Sequence, residues 1–596
     1  GVLANNLIDI GTSVKIWGGA DDSTDAPALI EGEVTGIEAD IHRNVTYTTI
    51  RGYEKAHRMQ RVRRTYVYRN MKDSDIAQQM ALKYGLVTAP PQIDSTSGVH
   101  DALAQFNQTD WEFLKCRAAE NGYDFGVVQG SFVFREPKAT SDTPMFLGLF
   151  PLPGGPPTLS AGDNLVHFRP RVTASGQVPK VMVRAWDPKQ KDAIIGRANA
   201  DTKQISLDDI DGASDLFDKF MLPPRIPDIP IPVLIPGTGA SIDWGVKEAL
   251  PTSVNGDVYA IVDRPLSNSG EADGMAKSLA EHVASTFAEA EGTCEGNPLV
   301  QAGITVKIDN TPGYFSGKWV VTNARHVFDE DNPHSSYLTH FIVSGRQERS
   351  ILGLTSMGQS NAGAAAPPRI DGVVPAIVVD NNDPNKNGRV RLAFPWLADN
   401  YVSDWCRVMQ VGMGKKGGWM LIPEPDDEVL VAFEFGDVRR PYVVGGLSNP
   451  KDSKKVPIPD VTMGKVAERG FVSRDGHKLV FTEDPTPDPT DAIPKQKTGM
   501  RIEDKDGKLK INLDMKQPVG KKIEIEVNGA AGGCKLSMDD MGAITIESTT
   551  PGAGQISIKA PMITIEAQQQ LQLKGALVNI ESTGPAAIKG NPLGLN

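Results

Sequence analysis

Cysteine is scarce in this sequence. The 596 residues contain four, Cys116, Cys294, Cys406 and Cys534, and no two of them form a CxxC or another metal-ligand spacing. This distribution excludes a disulfide-built scaffold and a cysteine zinc site. It predicts reduced, mostly buried thiols in a chain that folds in a reducing cytoplasm.

Long hydrophobic runs are also missing. No apolar stretch reaches the roughly 18–20 residues that a bilayer-spanning helix needs. The first residues, GVLANNLIDIGTSVKIW, lack a basic region followed by an apolar core, so we expect no signal peptide. The chain would then be made in the cytoplasm and reach the outside by another route.

Aromatic residues make up only 6% of the chain, whereas Gly (59) and Pro (43) are plentiful. This balance favours β-structure with many turns over helical bundles. The formal net charge of −12 argues against nucleic acid as a partner, because phosphate neutralisation needs a basic surface. Arg61 and Arg63 lie in a basic run with aromatics, but the alternation places them on a solvent-facing side.

Motifs for catalysis and cofactors are absent as well. The sequence has no GxSxG and no HExxH, and GKKGG at 414–418 lacks the spacing of a phosphate-binding loop. We therefore predict no enzyme activity and no cofactor. A metal site is conceivable where histidines and acids cluster, although these residues also fit polar positions beside strands: His326, Asp329, Glu330, Asp331, His334 and His340.

The sequence separates into regions by pattern. Residues 1–145 read as strands with two helices, and residues 146–365 as further strands with one helix and a proline-rich loop at 221–239. Six short apolar runs in 371–448 predict a small β-barrel. A hydrophilic linker, 449–470, leads to residues 471–596, where the pattern has a period of two.

Three helices are predicted from spacing and caps. The first, in MKDSDIAQQMALKYGL, places Ile76, Met80 and Tyr84 on one face and ends at Gly85. The second begins at a capping box formed by Thr109 and Glu112 and ends at Gly122, with Phe113 and Leu114 turned inward. The third covers EADGMAKSLAEHVASTFAEAEG, residues 271–292.

Period-two alternation in the last region predicts strands with one apolar and one polar face. The polar face carries Glu524, Glu526, Thr545, Glu547, Lys559, Thr564, Glu566, Gln572 and Lys574. The apolar positions are Ile523, Ile525, Val527, Ile544, Ile546, Ile556, Ile558, Ile563, Ile565, Leu571, Leu573 and Ile580. Such a face needs a cover, and alternation alone allows a monomeric β-solenoid, half of a sandwich, or several chains around one axis.

The barrel region carries a specific resemblance. The stretch from GRVRLAFPW through DEVLVAFEFGDVRRPYVVGGLSN resembles the OB-fold domain of VgrG proteins, the spikes of contractile injection systems. The matching residues are Gly388, Arg389, Phe394, Pro395, Trp396, Trp405, Arg407, Pro423, Glu424, Asp427, Glu428, Val429, Phe433, Gly436, Asp437, Arg440, Pro441, Gly445 and Asn449. One departure is Asp426, where the family usually has glycine.

The flanking regions resemble the same family. Residues 1–145 look like the N-terminal hub domain of VgrG and phage late-control proteins, 146–365 like a second hub domain, and 471–596 like the VgrG needle. The resemblance implies a mainly β, multidomain fold whose needle is a trimeric, intertwined β-prism, with the apolar positions above as its core. It also implies a homotrimeric spike and baseplate hub that punctures the target envelope mechanically.

Partners follow from the resemblance too. They are an inner-tube protein above the hub, baseplate proteins around it, and a small PAAR-like tip protein at the needle end, on Asn591, Pro592, Leu593 and Leu595. Membrane contact is expected only on puncture. The alternatives are a secreted effector enzyme with its activity in the hub region, and a trimeric tail-fibre adhesin. The sequence leaves open whether the machine is a phage, a type VI apparatus or an extracellular particle.

Overall fold

In a computed structural model the chain is mainly β and multidomain, as predicted. It divides into two compact units, Gly1–Leu447 and Ser448–Asn596. The structure describes residues 8–18, 28–43, 46–128, 130–146, 150–151, 154–187, 191–210, 212–213, 258–262, 264–266, 268–329, 331, 336–343, 369–451, 461–462, 465–487, 496–515 and 520–590. The predicted proline-rich loop at 221–239 lies outside these residues.

The first part of the larger unit contains three small sheets and two helices. The sheets have the strand orders β1-β2-β3, β4-β6 and β5-β8-β7. Their elements are β1 Ser13–Ile16, β2 Ile30–Ile41, β3 Thr46–Tyr53, β4 Arg63–Met71, α1 Asp73–Lys83, β5 Val87–Ile93, β6 His100–Thr109, α2 Asp110–Asn121, β7 Asp124–Val128 and β8 Ser131–Arg135.

Both predicted helices of this part are confirmed. In α2 the Thr109 hydroxyl accepts a hydrogen bond from the Glu112 N–H, and the Glu112 carboxylate accepts one from the Thr109 N–H, which completes the capping box. Gly122 ends the helix with φ of +72°, a conformation that glycine adopts without steric cost. Phe113 and Leu114 are buried in the core of this part.

The described residues of the second part form one α-helix and four sheets. The sheets have the orders β10-β9, β11-β18-β19-β15, β12-β17-β21-β20 and β14-β13-β16. The elements are β9 Met145–Phe146, β10 Phe150–Pro151, β11 Thr158–Ser160, β12 Leu165–Val172, β13 Lys180–Asp187, β14 Asp192–Asn199, β15 Ile205–Leu207, β16 Val258–Ile261, α3 Ser269–Ala284, β17 Ala288–Glu295, β18 Thr305–Asp309, β19 Gly317–Val320, β20 Asn323–Phe328 and β21 Tyr337–Val343.

The predicted helix over 271–292 is too long. Helix α3 ends at Ala284, and AEAEG belongs to β17. Burial alternates along this strand, with Ala288, Ala290 and Cys294 buried, and the strand pairs with neighbours on both sides. Strand pairing on both sides outweighs the helix propensity of the Ala and Glu residues.

The third part is a five-stranded, OB-like domain. Its strand order is β23-β22-β25-β26-β24, and its core includes Ala376, Val378, Leu392 and Phe394. The strands are β22 Val373–Asp380, β23 Arg391–Ala393, β24 Arg407–Val408, β25 Glu428–Phe433 and β26 Pro441–Gly446. One of the six apolar runs predicted as strands, GWMLIP at 418–423, is not a strand: within residues 369–451, all of them described, this run has no strand and is largely exposed.

Asp426 occupies the turn position at which VgrG proteins usually have glycine. Its φ is +76°, and the turn is closed by the Asp427 N–H donating to the Glu424 carbonyl at 3.0 Å. We expect Asp426→Gly to raise the free energy of unfolding by about 0.5–1 kcal/mol, because a β-carbon is strained in this region. Urea denaturation measures the change.

The matched control is Asp427→Gly. It should destabilise the domain instead, since the Asp427 carboxylate accepts a hydrogen bond from the Glu424 N–H at 2.7 Å. If both variants lowered the urea midpoint, strain at Asp426 would not be the governing effect.

The smaller unit is an antiparallel meander. Seven strands, β29 to β35, pair strictly in chain order, and a two-stranded β27-β28 pair precedes them. The strands are β27 Val461–Thr462, β28 Lys465–Val466, β29 Glu468–Val472, β30 Lys478–Pro487, β31 Gln496–Glu503, β32 Leu509–Asp514, β33 Lys522–Gly529, β34 Gly532–Asp539 and β35 Ile544–Ser548. We call β29 to β35 the needle sheet.

The strands predicted beyond the needle sheet are absent from this single chain. Residues 551–590, which the structure describes throughout, contain no strand. Strands are defined by backbone pairing, and a segment without a neighbouring strand cannot form a ladder. We call residues 551–590 the tail.

Candidate assembly surface

The register of the needle sheet sorts its side chains onto two faces. Ile525 lies opposite Ile511 on one side and opposite Leu536 on the other, and directly opposed residues point to the same face. The same pairing joins sixteen side chains into one apolar face: Phe471, Leu479, Phe481, Met500, Ile502, Leu509, Ile511, Leu513, Ile523, Ile525, Val527, Cys534, Leu536, Met538, Ile544 and Ile546.

This apolar face lies open in the single chain. Ile525, in the middle of the sheet, is 40% exposed, and Ile544 near its end is 70% exposed. A trough of about 550 Å³ runs along it, with Leu479, Ile502 and Ile525 in its lining. Soluble monomers rarely expose so long an apolar patch, which marks it as an interaction surface.

The opposite face is charged and better covered. The Lys535 ammonium lies 2.7 Å from a Glu524 carboxylate oxygen and 2.8 Å from one of Glu526. These hydrogen bonds raise the pKa of Lys535. Only 18% of the Glu524 side chain and 21% of the Glu526 side chain are exposed, less than for the isoleucines opposite. On this sheet the charged side chains are therefore less exposed than the apolar ones, which is the reverse of the usual pattern in a soluble monomer.

The predicted core residues fall into two groups. Five of them lie on the apolar face: Ile523, Ile525, Val527, Ile544 and Ile546. Seven lie in the tail and are exposed: Ile556, Ile558, Ile563, Ile565, Leu571, Leu573 and Ile580. Between residues 555 and 590, a range described in full, no backbone N–H bonds to a backbone carbonyl. The predicted tip residues Asn591, Pro592, Leu593 and Leu595 lie outside the described residues.

Sequence reasoning missed the first half of this face. Phe471, Leu479, Ile502 and Ile511 also belong to it, although no core role was predicted for them. The signal was present, because apolar residues alternate through KLVF and MRIE as they do further on.

The predicted OB-fold residues lie in the core, the strands and the turns of the OB-like domain. Phe394, Phe433 and Pro441 are buried, and Gly388 and Gly436 have positive φ. The remaining residues make local contacts. The Trp396 indole N–H donates to the Pro375 carbonyl, and Trp405 packs under the Arg391 guanidinium. The Pro423 carbonyl accepts a hydrogen bond from the Asn381 side chain, and the Arg440 N–H donates to the Asp437 carbonyl. Glu428 of β25 pairs with Ile377 of β22.

Asp437 belongs to a buried ion cluster that joins the OB-like domain to helices α1 and α2. Its carboxylate binds the Arg439 guanidinium, at 2.7 Å for the shortest contact, and Arg439 also lies 3.4 Å from Glu120 of α2. Glu120 pairs with Arg117, whose guanidinium donates to Asp73 of α1 at 2.7 and 2.9 Å. We call these five residues the junction cluster.

The charges of the junction cluster are held in place by one another. Burial alone would raise the pKa of Glu120 and Asp437, but the Arg117 and Arg439 guanidinium groups overcome it, and both pKa values lie below the usual range. The same carboxylates raise the pKa of Arg439 well above its ordinary value, although burial by itself would lower it. The carboxylates therefore remain ionised at neutral pH.

The histidines weighed above as conceivable metal ligands contact hydroxyl groups where the structure describes them. The His326 ring contacts the Tyr337 hydroxyl at 2.9 Å, and the His340 ring contacts the Thr293 hydroxyl at 2.9 Å. Glu330 and His334 lie outside the described residues. No group of three potential ligands occurs anywhere in the described part of the chain.

The four thiols are free, and three of them are buried as predicted. Burial raises the pKa of Cys116, Cys294 and Cys406 to about 12 in each case, so these thiols stay protonated and unreactive. Cys534 is exposed and lies on the apolar face. Among the described helices, none has the length and apolar character to cross a membrane.

Comparison with known families gives two matches. The injector OB domain of type VI secretion systems and phage baseplates matches residues 374–447, and the Alg8 N-terminal domain matches residues 5–214. The first coincides with the OB-like domain found in the structure.

Curated relatives are spike proteins of type VI secretion systems. VgrG3 of Vibrio cholerae is 27% identical over 184 residues, which are 27% of this chain and 17% of that protein. VgrG1a of Pseudomonas aeruginosa is 26% identical over 190 residues, covering 27% of this chain and 29% of that protein. The chain thus aligns with less than a third of the length of these two relatives.

Two solved structures align with large parts of the chain at low similarity. An E. coli type VI secretion component, described as similar to the T4 bacteriophage tail proteins gp27 and gp5, has a TM-score of 0.41 and 14% identity, covering 74% of this chain and 88% of that one. A Francisella PdpA–VgrG complex has a TM-score of 0.39 and 9% identity, covering 87% and 68%.

Proposed function

Because this chain is similar to VgrG spike proteins, we propose that three copies of it form the central spike and hub of a contractile injection machine. The observation that carries the proposal is the apolar face of the needle sheet, which remains open in the single chain. A sheet with one uncovered apolar face requires a partner surface.

Three sheets around one axis would close that face. Each fully buried aliphatic side chain contributes about 1.5–3 kcal/mol, and less where it is already partly covered. The charged face, with its Lys–Glu pairs, would remain toward water. The number three follows from the VgrG resemblance, since two stacked sheets would also cover apolar surface.

The proposed action is mechanical. The hub part would sit on the inner tube among baseplate proteins, and the needle would concentrate the force of contraction on a small tip. A PAAR-like protein is the proposed cover of the needle end. The chain would be made in the cytoplasm and meet a membrane only when the machine fires.

Native mass spectrometry of the purified chain tests the proposal. Three copies of the 64.2 kDa chain have a mass of about 193 kDa. A monomer at micromolar concentration would remove the basis of the proposal. A dimer would retain the covered face but contradict the spike.

Thiol labelling at Cys534 tests the proposed interface directly. We expect the thiol to react with a maleimide at least tenfold more slowly in the trimer than in a dissociated chain, because the apolar face becomes covered. Mass spectrometry counts the labelled cysteines and locates them.

The other cysteines supply the control for this labelling. Cys116, Cys294 and Cys406 are buried within one chain and should react only in denaturant. Rapid labelling of Cys534 in a particle of trimer mass would mean that the apolar face is not the interface.

A further inference from the structure

A second uncovered apolar feature lies in the OB-like domain. Residues 409–422, which we call the arm, leave the domain after β24 and return before Pro423. The Met409 N–H donates to the Val443 carbonyl at 2.8 Å, which fixes the base of the arm to β26. Beyond this base, every residue from 411 to 422 is exposed.

The arm is built as a narrow ribbon rather than an irregular loop. The Trp419 N–H donates to the Val411 carbonyl, and the Gln410 side-chain amide both donates to and accepts from the Leu421 backbone, at 3.0 and 2.7 Å. Gly418 has φ of +143°, and a β-carbon there would lie 2.6 Å from the Met413 Cα. The shape is therefore set before any partner binds.

The composition of the arm is that of an interface. Seven large apolar side chains are exposed along it: Met409, Val411, Met413, Trp419, Met420, Leu421 and Ile422. Tryptophan and methionine are enriched at the centres of protein interfaces. Lys415 and Lys416 lie at its tip.

The same domain has an apolar face that could receive such an arm. Val373, Pro375 and Val379 of β22 are exposed, and Trp396 is held beside them by its hydrogen bond to the Pro375 carbonyl; we call these four residues the β22 face. Asp380 ends this strand. Because this face is exposed in the chain that carries the arm, the arm of that chain does not cover it.

We propose that the arm of each copy packs on the β22 face of the next copy. This inference rests on the proposed trimer, in which head-to-tail contacts between two different patches close into a ring. The apolar side chains of the arm would cover Val373, Val379 and Trp396, and the lysines at its tip would approach the acidic end of β22. The partner is a second copy of this chain, because one domain presents both patches.

Site-specific photo-crosslinking tests the contact. A benzophenone amino acid in place of Met420, in full-length trimer assembled from mixed light and isotope-heavy chains, should link to peptides containing 373–379 or 396. The links should join light to heavy chains. The reverse probe, in place of Val379, should link to the arm, and Trp419→Ser should lower that yield at least fivefold.

The control probe replaces Leu82, an exposed apolar residue of α1, and should give no link to the arm or to β22. Links confined to one chain, or links from Met420 only to residues 468–548 of another copy, would overturn the inference while leaving a 193 kDa trimer intact. A chain that stays monomeric would overturn both this inference and the proposed function.

Discussion

Replacing Ile525 with aspartate is expected to abolish the trimer while leaving each chain folded. The side chain is 40% exposed in the single chain, so the carboxylate can stay hydrated there. In the trimer it would be buried between Ile511 and Leu536 in all three copies, and burying an unpaired carboxylate costs several kcal/mol per copy. Native mass spectrometry should show a shift from trimer to monomer.

The matched control is Thr545→Asp. Thr545 lies between Ile544 and Ile546 on the strand and therefore points to the opposite, charged face. It should leave the trimer intact. If Ile525→Asp also formed a stable trimer, the face assigned to the interior would be the wrong one.

Replacing Arg439 with methionine is expected to destabilise the larger unit by about 3–5 kcal/mol. The substitution leaves the buried carboxylates of Asp437 and Glu120 without one of their cations, and breaking a buried pair costs more than the pair contributes. Urea denaturation followed by tryptophan fluorescence should show the loss. Arg63→Met, which removes an exposed pair with Glu112, should cost at most about 1 kcal/mol.

The junction cluster also sets a dependence on pH. The folded-state pKa values of Glu120 and Asp437 are lowered, so their contribution to stability is complete above the unfolded pKa values. It should be lost as the pH falls below about 4.5, where the unfolded chain begins to take up protons that the folded chain excludes. Arg439→Met should reduce the loss of folding stability at low pH. An unchanged loss would show that other carboxylates govern it.

The sequence predicts local features of this fold well and distant ones poorly. The capping box of α2 and its terminal Gly122 could be read directly, because the residues that decide them lie within one or two turns. The end of α3 could not, because β17 is determined by strands far along the chain. The junction cluster could not either, since Glu120 and Arg439 come together only in the folded unit.

The candidate assembly surface shows the same division between features set by nearby residues and features set by distant ones. Alternation identifies the apolar positions of β33 and β35, and the register of the sheet adds Phe471, Leu479 and Ile511. Of the arm, only the run GWMLIP at 418–423 is predicted as a strand, because it is apolar and short. Gly418 and the Gln410 side chain, rather than hydrophobicity, decide that it becomes an exposed ribbon.

The needle sheet and the tail differ in their backbone pairing, and this difference implies an order of assembly. The inner strands of the needle sheet are paired on both sides within one chain, whereas residues 555–590, all described, form no backbone–backbone hydrogen bond. If three chains build the spike, the needle sheets would come together first and the tails would become ordered last. An incompletely matured particle would then have associated needle sheets and unpaired tails.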